Sequence, residues 1–137
     1  MPGRRHPGPQ LSLPTLDARE FLAVGRKLAP LRDEGVLVIG SGFLTHNMRA
    51  IDPRPGATPP AWASELDAWA GGVIARRDHD ALVDYRARAP GVRIALPTHE
   101  HFVPMVVAAG AAEHDAATFP ITGFWMGSFT RRSVQLG

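Results

Sequence analysis

The fold is predicted from one stretch, Gly35-Val36-Leu37-Val38-Ile39-Gly40-Ser41-Gly42-Phe43-Leu44-Thr45-His46-Asn47. Its first part, Val36 to Ile39, is apolar and lacks alternation, which is typical of a strand covered on both faces in a parallel sheet. The glycines that follow favour a tight loop. Ligands bind beyond the carboxyl ends of such strands, so the polar loop residues are candidate site residues: Ser41, Thr45, His46 and Asn47. A plain turn, a helix-capping histidine and a phosphate-binding loop are the alternatives.

The sequence before this stretch predicts a β-α-β unit. Gln10 to Leu13 is a short strand candidate that ends at Pro14. Asp17 followed by Glu20 is a capping-box pattern, and the helix that it opens is expected to end at Pro30. A right-handed crossover between parallel strands is the expected arrangement, so the fold class is α/β.

The sequence after this stretch predicts further helices and two closing strands. A Pro-rich loop precedes an apolar stripe at helical spacing, which indicates a packed helix. The predicted elements, in chain order, are the loop Asp52–Pro60, a helix carrying the stripe Trp62, Leu66, Trp69, Val73 and Ile74, a helix Asp78–Arg88, an extended segment Val92–Leu96, a helix opened by Pro97 with Thr98 as N-cap and Gly110 as stop, and strands Ile121–Phe129 and Ser133–Leu136.

Length and composition indicate one domain or part of one. The chain has 137 residues, 45% of them hydrophobic, and no apolar run approaches the roughly 20 residues of a membrane span. Residues 1–9 are rich in Pro, Gly and Arg, which predicts a disordered leader before a domain at 10–137. That leader lacks the apolar segment of a secretory signal, so the expected location is cytoplasmic, without a membrane partner.

Charge and cysteine content narrow the chemistry. The formal net charge is only +2, and the basic residues form no stripe, so no nucleic-acid partner is expected. The sequence has no cysteine, which excludes disulfides, thiolate metal sites and a cysteine nucleophile. Any metal would be held by His, Asp or Glu.

Two places in the sequence offer such ligands, His46 and the cluster His99-Glu100-His101. A non-haem Fe(II) site uses about two histidines and one carboxylate, whereas a catalytic zinc needs three protein ligands and a water. Neighbours on a helix point in different directions, so only one of Glu100 and His101 is expected to reach a shared centre. At least one ligand is then missing. Partly buried, hydrogen-bonded histidines are the alternative reading, and His99 alone could cap a helix.

Three motifs together resemble the carboxy-terminal half of the class III (LigB-type) extradiol ring-cleavage dioxygenases, in the branch that includes DOPA 4,5-dioxygenase. The motifs are Gly40-Ser41-Gly42 with Thr45-His46-Asn47, Pro97-Thr98 with Glu100-His101-Phe102 and Pro104, and Met126-x-Ser128-Phe129. The likeness extends from about Gln10 to the end.

The resemblance implies a three-layer α-β-α fold with a mostly parallel sheet, of which this chain is a partial domain. It also implies oxygen-dependent opening of catechol-type rings at a non-haem metal, generally Fe(II), with zinc as the second choice. By position, His46 matches the family's acid/base histidine beside the metal or a ligand, and His101 matches a metal ligand. Thr45, Asn47 and Glu100 would orient these histidines, and His99 stands where the family often has proline.

The resemblance covers only half of such an enzyme, whose first half supplies further histidine ligands. A truncated form with weak or no activity is therefore expected. The alternative is a non-catalytic binding or assembly module, or a pseudoenzyme remnant. Uncovered strand edges and apolar faces would then favour a homo-oligomer or a separately encoded amino-terminal half as partner. A phosphate-binding domain is a weaker alternative, because a Gly-Ser-Gly turn without a P-loop lysine is unspecific.

Overall fold

The computed structural model describes residues 8–12 and 17–137. Its helices are α1 (Ala18–Asp33), a 3-10 turn (Met48–Ala50), α2 (Ala61–Ala75), α3 (His79–Val83), α4 (Tyr85–Arg88), α5 (Val92–Ala95) and α6 (Val103–Ala111). Its strands are β1 (Ala117–Thr118), β2 (Phe124–Trp125), β3 (Phe129–Thr130) and β4 (Gln135–Leu136). None of these helices is long and apolar enough to cross a membrane.

Helix α1 packs along α6. Asp17 caps its first turn, as predicted, by accepting a hydrogen bond from the Arg19 amide at 2.8 Å. The crossing is close, because a Cβ on Gly25 would lie 2.2 Å from the Val107 carbonyl oxygen. The predicted end at Pro30 is wrong, since the helix continues to Asp33. Arg32 in the last turn donates to the Ala111 carbonyl at 3.0 Å, and this contact with α6 favours the extra turn.

Helix α2 confirms the predicted apolar stripe. Leu66, Val73 and Ile74 are buried in the main core, and Trp62 and Trp69 are partly buried against it. The tryptophans thus pack, as the spacing indicated. The loop from Asp52 to Pro60 before this helix contains no helix or strand, as predicted.

The region after α2 differs from its prediction in two places. The helix predicted over Asp78–Arg88 is divided at Asp84 into α3 and α4. The segment predicted as extended, Val92–Leu96, contains the short helix α5. A short apolar run does not distinguish a strand from a helix. Here Val92 and Ala95, three residues apart, are both buried, which is the spacing of one face of a helix.

Helix α6 begins later than predicted. Thr98 does not cap it, because its hydroxyl donates to the Glu100 carboxylate at 2.7 Å. The helix starts at Val103, with Pro104 in the first turn, where proline is tolerated. The intervening residues, 97–102, form bends and turns that carry the His99-Glu100-His101 cluster.

The predicted parallel sheet is not found in the described part of the chain. There, β1 pairs with β4 and β2 pairs with β3, in both cases antiparallel over two residues. The predicted closing strands are thus reduced to these short pairs. The described residues therefore combine helices with short strands, and the predicted three-layer arrangement around a parallel sheet is not seen among them.

The strand predicted over Val36–Ile39 is wrong for this structure. The segment has no strand assignment, and Leu37 and Ile39 are 80% and 75% exposed. An apolar run becomes a buried strand only when neighbouring strands pair with it, and no described residue does so.

The beginning of the chain is described only in part. Residues 8–12 have no helix or strand, so the strand predicted over Gln10–Leu13 is not seen at Gln10–Ser12. Leu13 and the first seven residues of the predicted leader lie outside the described residues.

Candidate active site

The structure brings together His46 and His101, which are 55 positions apart in the sequence. Their rings are stacked, with centroids 3.7 Å apart and an interplanar angle of 27°. Both are partly exposed. Two motifs that are distant in the sequence therefore place their imidazoles side by side.

Backbone contacts hold the two histidine segments together. The Phe43 amide donates to the His101 carbonyl at 2.9 Å, and the His46 amide donates to the Ala95 carbonyl at 2.8 Å. Gly42 allows the first contact, because a Cβ there would lie 2.1 Å from the His101 carbonyl oxygen. The glycine is needed for close approach of two backbones.

Thr45 anchors the His46 loop to the carboxy-terminal hairpin β2–β3. Its buried hydroxyl donates to the Ser128 carbonyl at 2.7 Å and accepts from the Thr130 amide at 2.8 Å. Thr45 therefore contacts the hairpin rather than the His46 ring, and it fixes the backbone from which that ring projects.

A buried ion pair extends this anchor to α2. Arg132 donates to both carboxylate oxygens of Asp67, at 2.9 and 2.6 Å, and the Thr130 hydroxyl donates to the same carboxylate. Gly71, one turn after Asp67, leaves room for the Arg132 guanidinium at 3.0 Å from its Cβ position. The hairpin beside His46 is thus bound to the core.

Asn47 and Glu100 occupy different positions around the pair. The Asn47 side chain donates to the Ile94 carbonyl at 2.7 Å and accepts from the Arg49 amide at 3.0 Å, so it orients the loop. A Glu100 carboxylate oxygen lies 3.8 Å from Nε2 of His101. Of the two, only Glu100 places a charge beside the imidazoles.

His99 packs against Tyr85 rather than against the histidine pair. Its ring meets the edge of the Tyr85 ring, with centroids 5.5 Å apart, and no ring contact joins it to His46 or His101. Its Nδ1 is buried and has no hydrogen-bond partner among the described residues.

Burial and neighbouring charges shift the protonation of the site. Desolvation by burial lowers the pKa of His46, the positive form of His101 lowers it further, and Glu100 opposes this shift. The hydrogen bond from Thr98 lowers the pKa of Glu100, with its own backbone amide as a second cause. The arrangement favours a neutral His46 beside an ionised Glu100 at neutral pH.

Aromatic side chains surround the histidine pair. Phe129 stacks on His46 with centroids 5.1 Å apart, Phe43 lies 5.9 Å from His46, and Trp125 lies 6.0 Å from Phe129. Trp125 is 55% exposed. These rings form an aromatic wall, of which Phe43 and Trp125 are exposed and open to stacking with a flat ligand, whereas Phe129 is buried.

Sequence reasoning missed the wall and the ion pair as parts of the site. Phe43 and Phe129 stood within the quoted motifs but were not singled out, and nothing marked Trp125. Asp67 carried a usable signal, since it lies within the buried face of α2, among Leu66, Ala70 and Ile74. A carboxylate in such a stripe indicates a buried partner.

The residues present do not form a complete metal site. In the described ranges no group of three or more His, Cys, Asp and Glu side chains is placed to hold a metal ion. Two imidazoles and one adjacent carboxylate at 3.8 Å from the nearer ring offer suitable donor types, but fewer converging ligands than zinc or Fe(II) requires.

Burial of His99 predicts a pH dependence of stability. Burial lowers its folded pKa, with Arg86 adding to the shift and Glu100 opposing it. The unfolded chain therefore binds more protons in the range between that lowered pKa and about 6.5, so the free energy of unfolding should fall as pH decreases through this range. We expect a smaller fall in His99→Gln, measured by urea denaturation at pH 7.5, 6.5 and 5.5. His46 contributes a similar pH dependence to both proteins, so it cancels when their free energies of unfolding are subtracted. A difference that stays constant from pH 7.5 to 5.5 would contradict this prediction.

Comparisons with known proteins identify relatives. The model of a family described as the catalytic LigB subunit of aromatic ring-opening dioxygenase matches residues 9–130. The chain is 37% identical over 119 residues to a 4,5-DOPA dioxygenase extradiol of Beta vulgaris, covering 86% of this chain and 44% of that protein. It is 34% identical over 122 residues to the protein of the same name from Escherichia coli K12, covering 83% and 43%.

A solved structure is also similar. The crystal structure of an uncharacterised protein from Escherichia coli K12 matches with a TM-score of 0.79 and 32% identity, over 88% of this chain and 50% of that chain. The chain thus spans about half the length, or less, of the relatives that it matches.

Proposed function

The chain belongs to the LigB family of aromatic ring-opening dioxygenases, and from that premise we propose that it carries the His46–His101 centre of an extradiol enzyme. The proposed substrates are a catechol-type aromatic and O2. The observation that carries the proposal is the stacked imidazole pair, built from two motifs and walled by aromatic rings. The relatives named as extradiol dioxygenases support the reaction class.

His46 is proposed to move protons in this reaction. A catechol hydroxyl must lose a proton during ring opening, and a neutral imidazole with a lowered pKa can accept it at a ring nitrogen. Glu100, which favours the charged form of His46, would stabilise the imidazolium that results. Thr45 and Asn47 would hold the His46 backbone in place during the transfer.

The family's reaction is metal-dependent, and His101 is the proposed ligand from this chain. His46 is proposed as the proton acceptor beside the metal or, alternatively, as a second ligand, because one neutral imidazole cannot fill both roles. Fe(II) is the proposed metal and zinc the alternative, since imidazole suits both. The set is incomplete among the described residues, because Glu100 and the two imidazoles do not form a group of three side chains placed to hold a metal ion. Weak activity, or none, is therefore proposed for this chain alone.

The aromatic wall is proposed to hold the substrate ring. Phe129 and Phe43 lie beside His46, and the exposed Trp125 extends the same surface. Phe129 is buried and packs against His46, so the proposed stacking surface is that of Phe43 and Trp125. A catechol stacked there would direct its hydroxyl groups towards the imidazoles. Aromatic contacts of this kind contribute about 0.5–1.5 kcal/mol beyond the buried area.

The place of the Val36–Ile39 segment in the family's sheet is also proposed. In the complete domain, we propose, the segment from Val36 to Ile39 lies in a mostly parallel sheet between two helical layers. Its apolar, largely β-branched sequence supports this. A cytoplasmic location stays a prediction.

Metal titration tests the proposed site. Anaerobic Fe(II) and Zn(II) calorimetry would compare the wild type with His46→Ala, His101→Ala and the control His114→Ala, which alters an exposed histidine elsewhere. We expect each of the first two variants to raise the Kd at least about tenfold, the loss that even a residue supporting a ligand typically causes, and His114→Ala to leave it unchanged.

Equal affinities in all four proteins would overturn the assignment of the ligands. An oxygen-dependent assay on a catechol completes the test. Ring opening by the chain alone at rates of about 1–1,000 s⁻¹, the usual range for enzymes, would contradict the proposed weak activity.

A further inference from the structure

A groove beside the histidine pair is lined by arginines but, among the described residues, by no carboxylate. Its lining comes mainly from residues 37–44, residues 130–136 and α6, and it includes His101. The groove encloses about 550 Å³, within the roughly 300–1,000 Å³ of small-molecule pockets. Its three arginines are Arg32, Arg131 and Arg132. Apolar surface and positive charge thus meet next to the candidate site.

Two of these arginines already have a counterion. Arg132 pairs with Asp67, as described above, and Arg32 pairs with Asp115 at 2.6 Å. Arg131 is exposed, and its guanidinium has no hydrogen bond or ion pair with any described residue. Arg131 is therefore the arginine of the groove whose charge the described residues leave without a partner.

The extended chain after β3 places Arg131 on the same face as Phe129. Its amide donates to the Gly123 carbonyl at 2.8 Å, so the pairing of the hairpin continues beyond β3. Side chains alternate between the two faces of such a chain, and Asp67 binds the two that alternate with Phe129 and Arg131. The opposite face is the one on which Phe129 stacks on His46. The unpartnered guanidinium thus belongs to the face of the hairpin that meets the histidine pair.

We propose that Arg131 is a specificity-determining residue that binds a carboxylate carried by a substituent of the aromatic substrate. The inference rests on the proposed function, because it takes the substrate ring to lie on the exposed Phe43 beside the histidines. Phe43 and Arg131 both line the groove, so one ligand can contact both. A guanidinium binds a carboxylate through two parallel N–H···O hydrogen bonds, and the ligand would supply the counterion that Arg131 lacks among the described residues.

An NMR titration of the isotope-labelled chain, without metal and without oxygen, tests this assignment. The ligands are 3-(3,4-dihydroxyphenyl)propanoate and its methyl ester, which share the catechol ring but differ in charge. We expect the wild type to bind the acid at least about tenfold more tightly than the ester, the effect of a charge-assisted hydrogen bond. Arg131→Gln should remove this preference and leave the Kd of the ester unchanged. Arg131→Lys should keep part of the preference, because lysine retains the charge but not the planar fork.

Arg19→Gln is the matched control. It removes the same charge from an exposed arginine of α1 that lies about 20 Å along the helix from Arg32, and it should keep the wild-type preference. An equal preference for the acid in the wild type and Arg131→Gln would overturn the proposal, and so would an equal loss of affinity for both ligands. Ester binding without any preference for the acid contradicts only the role of Arg131, whereas binding of neither ligand would also contradict the proposed function.

Discussion

Replacing Asp67 by alanine is expected to lower the free energy of unfolding by about 3–5 kcal/mol, the cost of leaving one member of a buried ion pair alone. The side chains of Asp67 and Arg132 are only 9% and 15% exposed, and two hydrogen bonds join them. The variant would strand the guanidinium over Gly71 and leave the Thr130 hydroxyl without its acceptor. Urea denaturation followed by circular dichroism measures this loss.

Asp84→Ala is the matched control for Asp67→Ala. Asp84 also pairs with an arginine, Arg88, but both side chains are exposed, at 43% and 52%. A surface pair four residues apart on a helix contributes about 0.3–0.5 kcal/mol. Similar losses in the two variants would show that the Asp67 pair is not held in a low-dielectric interior.

The Asp67 pair also connects stability to the site. Thr130 links Asp67 to Thr45, and Thr45 precedes His46. Phe129, beside Thr130 on the same strand, stacks on the His46 ring. Weakening the ion pair should therefore disturb the proposed proton acceptor as well as the core.

Local patterns predicted the elements whose partners lie within the chain. Asp17 caps α1, and the Trp62 stripe packs as α2, because capping and helical periodicity depend on neighbouring residues. The strand at Val36 was predicted wrongly for a different reason. Its sequence indicates burial between other strands, and no described residue supplies them.

The candidate site was predictable as residue types but not as geometry. The motifs singled out His46 and His101, and the structure stacks them. They distinguished His101, matched to a metal ligand, from His99 by position in the motif only. The directions of the two side chains are set by the turns before α6. The Asp67–Arg132 pair joins residues 65 positions apart, which no local pattern specifies.

Replacing Gly42 by alanine is expected to separate the two histidine segments. A Cβ at this position would lie 2.1 Å from the His101 carbonyl oxygen and 3.0 Å from its carbon, and both atoms belong to the backbone. The segments must therefore move apart, which breaks the hydrogen bond from Phe43 to His101 and unstacks His46 from His101. We expect a loss of about 3 kcal/mol in the free energy of unfolding, the upper end for overpacking, and metal affinity as low as in His101→Ala.

Gly72→Ala tests whether this cost comes from the close approach. Gly72 lies inside α2, and its Cβ position meets only the Arg76 guanidinium, 3.0 Å away at the end of a flexible side chain. Alanine should therefore stabilise the protein, by up to about 1 kcal/mol from helix propensity. The two glycine substitutions are thus expected to have opposite signs in the same denaturation experiment. Loss of metal affinity in Gly72→Ala, or its retention in Gly42→Ala, would contradict the dependence of the site on the contact between Gly42 and His101.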